Sequence, residues 1–347
     1  VGTGIGMGGA VEYSINVGNG DMPRAKKYFG MSIILLGIFS ILFTALFLIG
    51  APTVLTWFGA SGDIFTQGKE YLLYISFGAV FQILGTGLVP FIRNMGGAIT
   101  AMAAMIAGFV TNIVLDYLFV WVLPWGMMGA AIATVIGQAM TFLVCLAFFF
   151  VKKEKPIFDF GNKKWNFIKR ILSVGISPFG LTFSPNITLI LVNKSASIVG
   201  GALAVTYYAP ISYISSVVML LMQGVSDGSQ PLISSSYGEG KLEHVRAYRN
   251  LAYRFAMAVA IVCMVLLFLL RGNIAALFGA SEQVILEVVA ILPIFLCGYL
   301  FVSFSRVSTA YFYATRKNLL AYILIYGEPL SLFFLLLFVP SVAGGVI

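Results

Sequence analysis

The sequence WFGAS at residues 57–61 returns as LFGAS at residues 277–281, which lie 220 positions further along the chain. Other identical residues recur at the same spacing without a gap: Gly18 and Gly238, Gly20 and Gly240, Tyr28 and Tyr248, Leu72 and Leu292, Gly78 and Gly298, and Phe81 and Phe301. One short match arises by chance, whereas a gapless set across several segments indicates an internal repeat. The sequence therefore predicts two copies of one structural unit.

Composition indicates what this unit is made of. The chain has 347 residues, 60% of them hydrophobic and 10% charged, and its mean hydropathy is +0.98. A soluble fold of this size cannot bury so much apolar surface. Long apolar runs favour membrane-spanning helices over the alternating strands of a β-barrel. Ten such segments are predicted, at about residues 1–17, 28–57, 70–92, 97–122, 128–151, 168–193, 201–237, 245–270, 283–314 and 318–340.

Short polar stretches with turn chemistry connect these segments, among them GNGDMP (18–23), GASGD (59–63), SIVGG (197–201) and RGN (271–273). Glycines inside the segments, such as Gly37, are expected to let helices pack closely.

Basic residues are concentrated in every second connection. The connections that hold seventeen of the 21 Lys and Arg residues are those at 18–27, 93–97, 152–170, 238–254 and 315–318. Positive residues accumulate on the cytoplasmic side of membrane proteins, so we expect the loop 152–170 to be cytoplasmic and GASGD to be external. The same bias accounts for the net charge of +8, and we expect no nucleic-acid partner.

The repeat also predicts the domain organisation. The related loops GNG and GEG both lie on the basic side, so the two copies share one orientation and form a parallel repeat. We expect an N-terminal lobe at 1–151, a cytoplasmic linker at 152–167 and a C-terminal lobe at 168–347. Aligning the two copies predicts which segments lie outside this sequence. They are the first helix and part of the second in the N-terminal lobe, and the last helix in the C-terminal lobe. The predicted fold is an all-α integral membrane protein with two six-helix lobes, of whose twelve helices about ten are visible here.

The stretch TNIVLDYLF at residues 111–119 places a carboxylate, Asp116, and an amide, Asn112, inside an apolar segment. The two residues are four apart and therefore share one helix face. Ionisable residues at membrane depth are rare and usually face the bundle interior, with a partner or a transport pathway. The segment itself holds no basic residue that could pair with Asp116, which favours a functional role over a structural hydrogen bond.

Three motifs resemble the multidrug and toxic compound extrusion (MATE) family of transporters: GNGDMPRAKK (18–27), PWGMMGAAIATVIGQ (124–138) and QPLISSSYGEGK (230–241). The resemblance covers essentially the whole chain and is greatest to the bacterial multidrug-efflux branch. It implies a multi-pass protein of the bacterial cytoplasmic (inner) membrane. It also implies an antiporter that exports lipophilic, often cationic small molecules in exchange for Na⁺ or H⁺.

The resemblance also implies a site for the coupling cation. In MATE transporters that bind the cation in the N-terminal lobe, the fifth helix carries Asn-x-x-x-Asp and the sixth helix carries a Thr. Asn112 and Asp116 match the pair, and Thr134 matches the threonine; a further Asp on the first helix of the family lies outside this sequence. Carboxylate, amide and hydroxyl oxygens suit Na⁺, and a desolvated carboxylate can instead carry a proton. No other cofactor or metal is expected.

Four other charges lie at membrane depth: Glu12, Asp227, Arg306 and Glu328. Glu12 and Glu328 are equally compatible with a role in coupling or substrate binding and with a structural role. Asp227 and Arg306 favour a structural role, and the simplest pairing joins Arg306 to Glu328 or Asp227.

Other functional classes fit less well. A lipid-linked oligosaccharide flippase of the same superfamily is the main alternative, although such proteins typically have a strongly basic central cavity and only Arg306 lies clearly inside a span, away from its ends. No HExxH and no ATP-binding loop occurs, so an enzyme or a primary pump is not expected. The two-lobe repeat favours alternating access over an ion channel. Besides the lipid bilayer and its substrates, we expect no partner and a monomeric state.

Overall fold

The structure is a computed structural model, and it describes residues 1–57, 59–277 and 282–343. These residues are almost entirely helical. The helices are α1 (Gly2–Gly18), α2 (Met22–Trp57), α3 (Gly62–Asn94), α4 (Ala98–Asp116), α5 (Gly126–Lys152), α6 (Lys164–Gly238), α7 (Leu242–Leu277), α8 (Glu282–Ala314) and α9 (Asn318–Ala343). A π-helical turn (Tyr117–Val122) extends α4, and a 3₁₀ turn (Gly161–Lys163) precedes α6.

The long helix α6 is two helices joined at Gly201. This residue has φ of 65° and ψ of −158°, a conformation that glycine adopts readily because it has no Cβ atom. Counting the two halves separately, nine helical segments of the described chain are long and apolar enough to span a membrane. With the shorter α1 they account for the ten predicted segments, and the predicted all-α membrane fold is confirmed.

Two predicted connections differ from the structure. RGN (271–273) was expected to be a turn, but α7 continues to Leu277. The guanidinium of Arg271 finds its partners within α7. It donates a hydrogen bond to the carbonyl oxygen of Phe268 at 3.0 Å, and it lies 4.1 Å from the ring centroid of Phe268. SIVGG (197–201) is likewise helical up to the single break at Gly201.

The ends of the helices recur at the 220-residue spacing of the sequence repeat. The matching ends are those of α1 and α6 (Gly18 and Gly238), the starts of α2 and α7 (Met22 and Leu242), the starts and ends of α3 and α8 (Gly62 and Glu282, Asn94 and Ala314), and the starts of α4 and α9 (Ala98 and Asn318). The turns recur too, since Gly96 has φ of 81° and its counterpart Arg316 has φ of 62°. The repeat therefore keeps backbone geometry even where glycine is replaced.

The chain forms two compact units. The first comprises Val1–Phe179 and the second begins at Gly180, so the first part of α6 belongs to the first unit. Glycines explain this packing: a Cβ atom at Gly8 would collide with the carbonyl oxygen of Ile171 and lie 2.9 Å from the backbone nitrogen of Gly175. The predicted linker at 152–167 stays a prediction. It was inferred from the sequence repeat, whereas the boundary between Phe179 and Gly180 reflects which residues pack together.

Each unit has its own apolar core. In the first, Phe29 and Phe91 pack with ring centroids 4.9 Å apart among the small residues Ala25 and Ala104. In the second, buried side chains of α7 and α8 meet around Leu292. Large apolar side chains such as Phe109, Ile113 and Trp121 are exposed, as expected for surfaces that face lipid.

Within the described residues, Gly37 lacks the close helix packing that the sequence predicts. A Cβ atom at this position would meet nothing within 4 Å, so no neighbouring helix approaches it closely among the described residues.

Candidate functional site

Two glycines bring α4 and α5 together at the predicted cation site. A Cβ atom at Gly137 would lie 2.7 Å from the carbonyl oxygen of Gly108 and 2.9 Å from the Cβ atom of Asn112. Side-chain carbons do not approach other atoms this closely, so glycine allows the two backbones to meet. Because the two backbones are so close, the short side chain of Asn112 can contact residues of α5.

Asn112 and Thr134 are in contact across the two helices. The Nδ2 atom of Asn112 donates to the Oγ1 atom of Thr134 at 3.4 Å, a long hydrogen bond. The Thr134 hydroxyl in turn donates to the carbonyl oxygen of Ala130 at 2.9 Å. Because its proton is used in this way, the Thr134 oxygen is left as an acceptor.

Asp116 lies one helical turn after Asn112, immediately before the π-helical turn. Its Oδ1 atom is buried and has no hydrogen-bond partner among the described residues. An unpartnered carboxylate oxygen is costly inside a membrane, and a bound cation or proton would relieve that cost. The π-helical geometry beside it is itself a feature that occurs often at functional sites.

A cavity of about 200 Å³ lies between α3, α4 and α5 and includes two of the three predicted residues, Asn112 and Thr134. Asp116 is not part of its lining. The other polar residues of the lining are Gln82, Thr86, Gln138 and Thr141. The Oε1 atom of Gln138 is buried and, like Asp116 Oδ1, has no hydrogen-bond partner within the described part of the chain.

The sequence contained a signal for these additional residues. Thr134, Gln138 and Thr141 are four and three positions apart, which places them on one face of α5. A polar stripe within an apolar span indicates a face turned away from lipid.

Glu12 has a partner that the sequence did not reveal. Its side chain is fully buried, and its Oε1 atom lies 3.1 Å from the Nε atom of Arg170 at the start of α6. Arg170 is 42% exposed, so the pair connects a buried carboxylate to the end of the helix bundle. This geometry supports a structural role for Glu12 within the first unit.

Arg306, Asp227 and Glu328 lie in the second unit. Arg306 is buried and donates to the carbonyl oxygen of Leu181 at 3.1 Å and to the Oε1 atom of Gln223 at 3.4 Å. The Nε2 atom of Gln223 donates to the Oδ1 atom of Asp227 at 2.7 Å, so Gln223 bridges Arg306 and Asp227. Arg306 and Glu328 also line a cavity of about 10 Å³, which is close to the space that one water molecule needs.

The sequence model of the MatE family matches residues 1–118 and 178–337, which include most of both units. The chain belongs to the MatE family. This MatE chain therefore has the predicted family membership, and it is a membrane transporter rather than an enzyme. Transporters of this family bind small molecules within the membrane.

Curated relatives of this MatE chain include multidrug export proteins of staphylococci. The multidrug export protein MepA of Staphylococcus haemolyticus is 24% identical over 319 residues, which cover 90% of this chain and 70% of the relative. MepA of Staphylococcus aureus (strain MW2) is 23% identical over 286 residues, which cover 81% of this chain and 62% of the relative. With the long apolar helices, these bacterial relatives support the predicted multi-pass protein of the bacterial cytoplasmic membrane.

Solved structures share the fold. An outward-facing multidrug resistance MATE family transporter has a TM-score of 0.88 at 23% identity and covers 94% of this chain and 73% of its own. A MOP superfamily transporter from Pyrococcus furiosus has a TM-score of 0.85 at 24% identity, with 97% of this chain and 79% of that chain covered. At such identities the likeness establishes the fold alone.

Proposed function

We propose that this MatE chain is part of a secondary antiporter that exports lipophilic, often cationic organic compounds in exchange for Na⁺ or H⁺. Relatives whose names specify multidrug export support the substrate class. The two units of one chain supply the two halves that alternating access requires, so we further propose that a monomer is sufficient for transport.

The observation that carries the coupling role is the pairing of Asn112 with Thr134 beside the unpartnered oxygen of Asp116. Three oxygen-bearing side chains are thereby placed on two adjacent helices, and the charged one, Asp116, has a buried oxygen with no hydrogen-bond partner among the residues that the structure describes. Na⁺ prefers such oxygen ligands, and a carboxylate without a partner is equally suited to take up a proton. Binding of either cation would remove an uncompensated charge from the membrane interior.

The flippase alternative requires a cavity that neutralises a polyphosphate headgroup. The cavity beside Asn112 is lined by amides and hydroxyls together with apolar groups, and no basic side chain is among its lining residues. Among the residues whose burial is described, Arg306 is the basic residue that is buried within a span. Its guanidinium already donates hydrogen bonds to the carbonyl oxygen of Leu181 and to the Oε1 atom of Gln223. These surroundings favour a neutral or cationic substrate.

The proposal is tested with the full-length protein reconstituted into lipid vesicles. A fluorescent lipophilic cation serves as substrate, and inward Na⁺ and H⁺ gradients are imposed separately. Accelerated dye export under at least one gradient, abolished by a matching ionophore, is expected. Export that depends on neither gradient would contradict a secondary antiporter.

A further inference from the structure

A second cavity, of about 360 Å³, lies where α1 ends and where α2 and α6 begin. Three cations line it: Arg24 and Lys27 from the first turns of α2, and Lys163 from the turn before α6. Asp21 contributes one carboxylate to the same lining. The cavity therefore carries an excess of positive charge at one end of the spanning helices.

The three cations are not neutralised by the protein. Within the described residues, the side chains of Arg24, Lys27 and Lys163 make no hydrogen bond or ion pair. Their neighbour Lys26 differs, because its Nζ atom lies 3.7 Å from the carboxylate of Glu154. Like charges that share one cavity repel each other, so an anion placed between them would be stabilised.

The one carboxylate in the cavity is already engaged. The Oδ1 atom of Asp21 accepts a hydrogen bond from the backbone nitrogen of Arg24 at 3.0 Å, as an N-terminal cap of α2. Asp21 therefore orders the turn that carries Arg24, and it leaves the cationic side chains free.

Packed aromatic side chains form one wall of the cavity. The ring centroids of Tyr28 and Phe167 are 4.7 Å apart, and those of Phe160 and Phe167 are 5.8 Å apart. The linker is fixed in place by a hydrogen bond from the backbone nitrogen of Ile157 to the carbonyl oxygen of Lys26 at 3.1 Å. The cations are thus arranged around an ordered apolar base.

We propose that this cavity binds the phosphate-bearing headgroup of an anionic phospholipid. Arg and Lys together offer directional and point-charge contacts to phosphate oxygens. A free phosphate shares that chemistry, but two observations favour the lipid. The cavity lies at the ends of spanning helices, where headgroups are located, and its aromatic base suits the glycerol and upper acyl carbons. The inference is independent of the coupling ion and of the exported substrate.

The test measures lipid binding to the purified full-length protein by native mass spectrometry in detergent. Phosphatidylglycerol is compared with phosphatidylcholine, and inorganic phosphate is added as a competitor. The test variant carries Arg24→Gln, Lys27→Gln and Lys163→Gln. The matched control carries Lys152→Gln, Lys153→Gln and Lys155→Gln, which remove the same charge from the neighbouring linker outside the cavity. Melting temperatures establish that both variants are folded.

We expect the protein to bind phosphatidylglycerol roughly tenfold or more tightly than phosphatidylcholine, and the cavity variant to lose this preference. The control variant should change it by less than about twofold, because its cations do not line the cavity. A variant that keeps the charges, with Arg24→Lys and Lys163→Arg, should retain the preference. Equal losses in the two neutralised variants, or no preference in the unmodified protein, would overturn the site. Displacement of the lipid by equimolar inorganic phosphate would overturn the lipid as its ligand.

Discussion

At the scale of single residues, Glu12 and Asp116 show two ways to hold a carboxylate at membrane depth. Glu12 is paired with Arg170, whereas the Oδ1 atom of Asp116 has no hydrogen-bond partner in the described residues. The sequence identified both, because an acidic residue in an apolar run is conspicuous. It could not identify Arg170 as the partner, since that contact depends on how α6 packs against α1.

The buried pair predicts an asymmetry between its two members. Arg170→Gln leaves the fully buried carboxylate of Glu12 uncompensated, so it should destabilise the protein by about 1–3 kcal/mol, reduced from a fully buried pair because Arg170 is 42% exposed. Glu12→Gln removes the buried charge itself and should cost less. Thermal melting of the two single variants and the double variant tests this. A larger loss for Glu12→Gln than for Arg170→Gln would show that the pair is not the dominant interaction.

At the scale of helices, turn chemistry in the sequence located most ends correctly, because Gly-rich and charged stretches interrupt the apolar runs. The prediction of a turn at RGN was wrong, because the guanidinium of Arg271 is accommodated within α7 by its contacts with Phe268. Gly37 has no close neighbour among the described residues. Glycine in a helix indicates close packing only where another helix is adjacent, and a single sequence does not show which helices are adjacent. Gly108 and Gly137 do have such neighbours.

Helix packing at the candidate site is tested by Gly137→Ala. The new methyl group would lie 2.7 Å from the carbonyl oxygen of Gly108, so α4 and α5 must separate, at a cost of about 1–3 kcal/mol. We expect a lower melting temperature and weaker dye export, because the contact between Asn112 and Thr134 lengthens. Gly37→Ala is the matched control: it has open space and should be neutral or stabilising by up to about 1 kcal/mol. Similar effects of the two variants would contradict the close approach of α4 and α5.

At the scale of the whole molecule, the repeat was the most informative feature of the sequence. Its 220-residue spacing recurs in the ends of four pairs of helices, because the same turns punctuate both copies. The cavity beside Asn112 was only partly predictable, since it depends on the packing of three helices. The residues that share a face of α5 were visible, but not the helices that enclose them.

The distribution of basic residues predicts the orientation of the chain in the membrane. In a variant without Cys145, Cys263 and Cys297, a cysteine at Lys163→Cys should react with thiol reagents only after the cells are permeabilised. A cysteine at Ser61→Cys should react in intact cells. The opposite pattern of labelling would reverse the predicted topology.

The parallel repeat makes a further prediction for an experimental structure of the full-length protein. Residues 18–122 and 238–338 should superpose as two helical units that have the same orientation relative to the membrane. Units inverted relative to each other would contradict the shared position of the GNG and GEG loops on the basic side.

The most direct test of the account is gradient-driven dye export by Asp116→Asn in vesicles, measured together with the melting temperature. The amide keeps the size and hydrogen bonding of the side chain but loses the charge, so the protein should stay folded while export is abolished. Asn112→Ala and Thr134→Ala should each weaken export less, because neutral oxygens hold a cation less strongly than a carboxylate does. Normal gradient-driven export by Asp116→Asn would contradict the coupling role and leave Asp116 as a structural residue of the helix bundle.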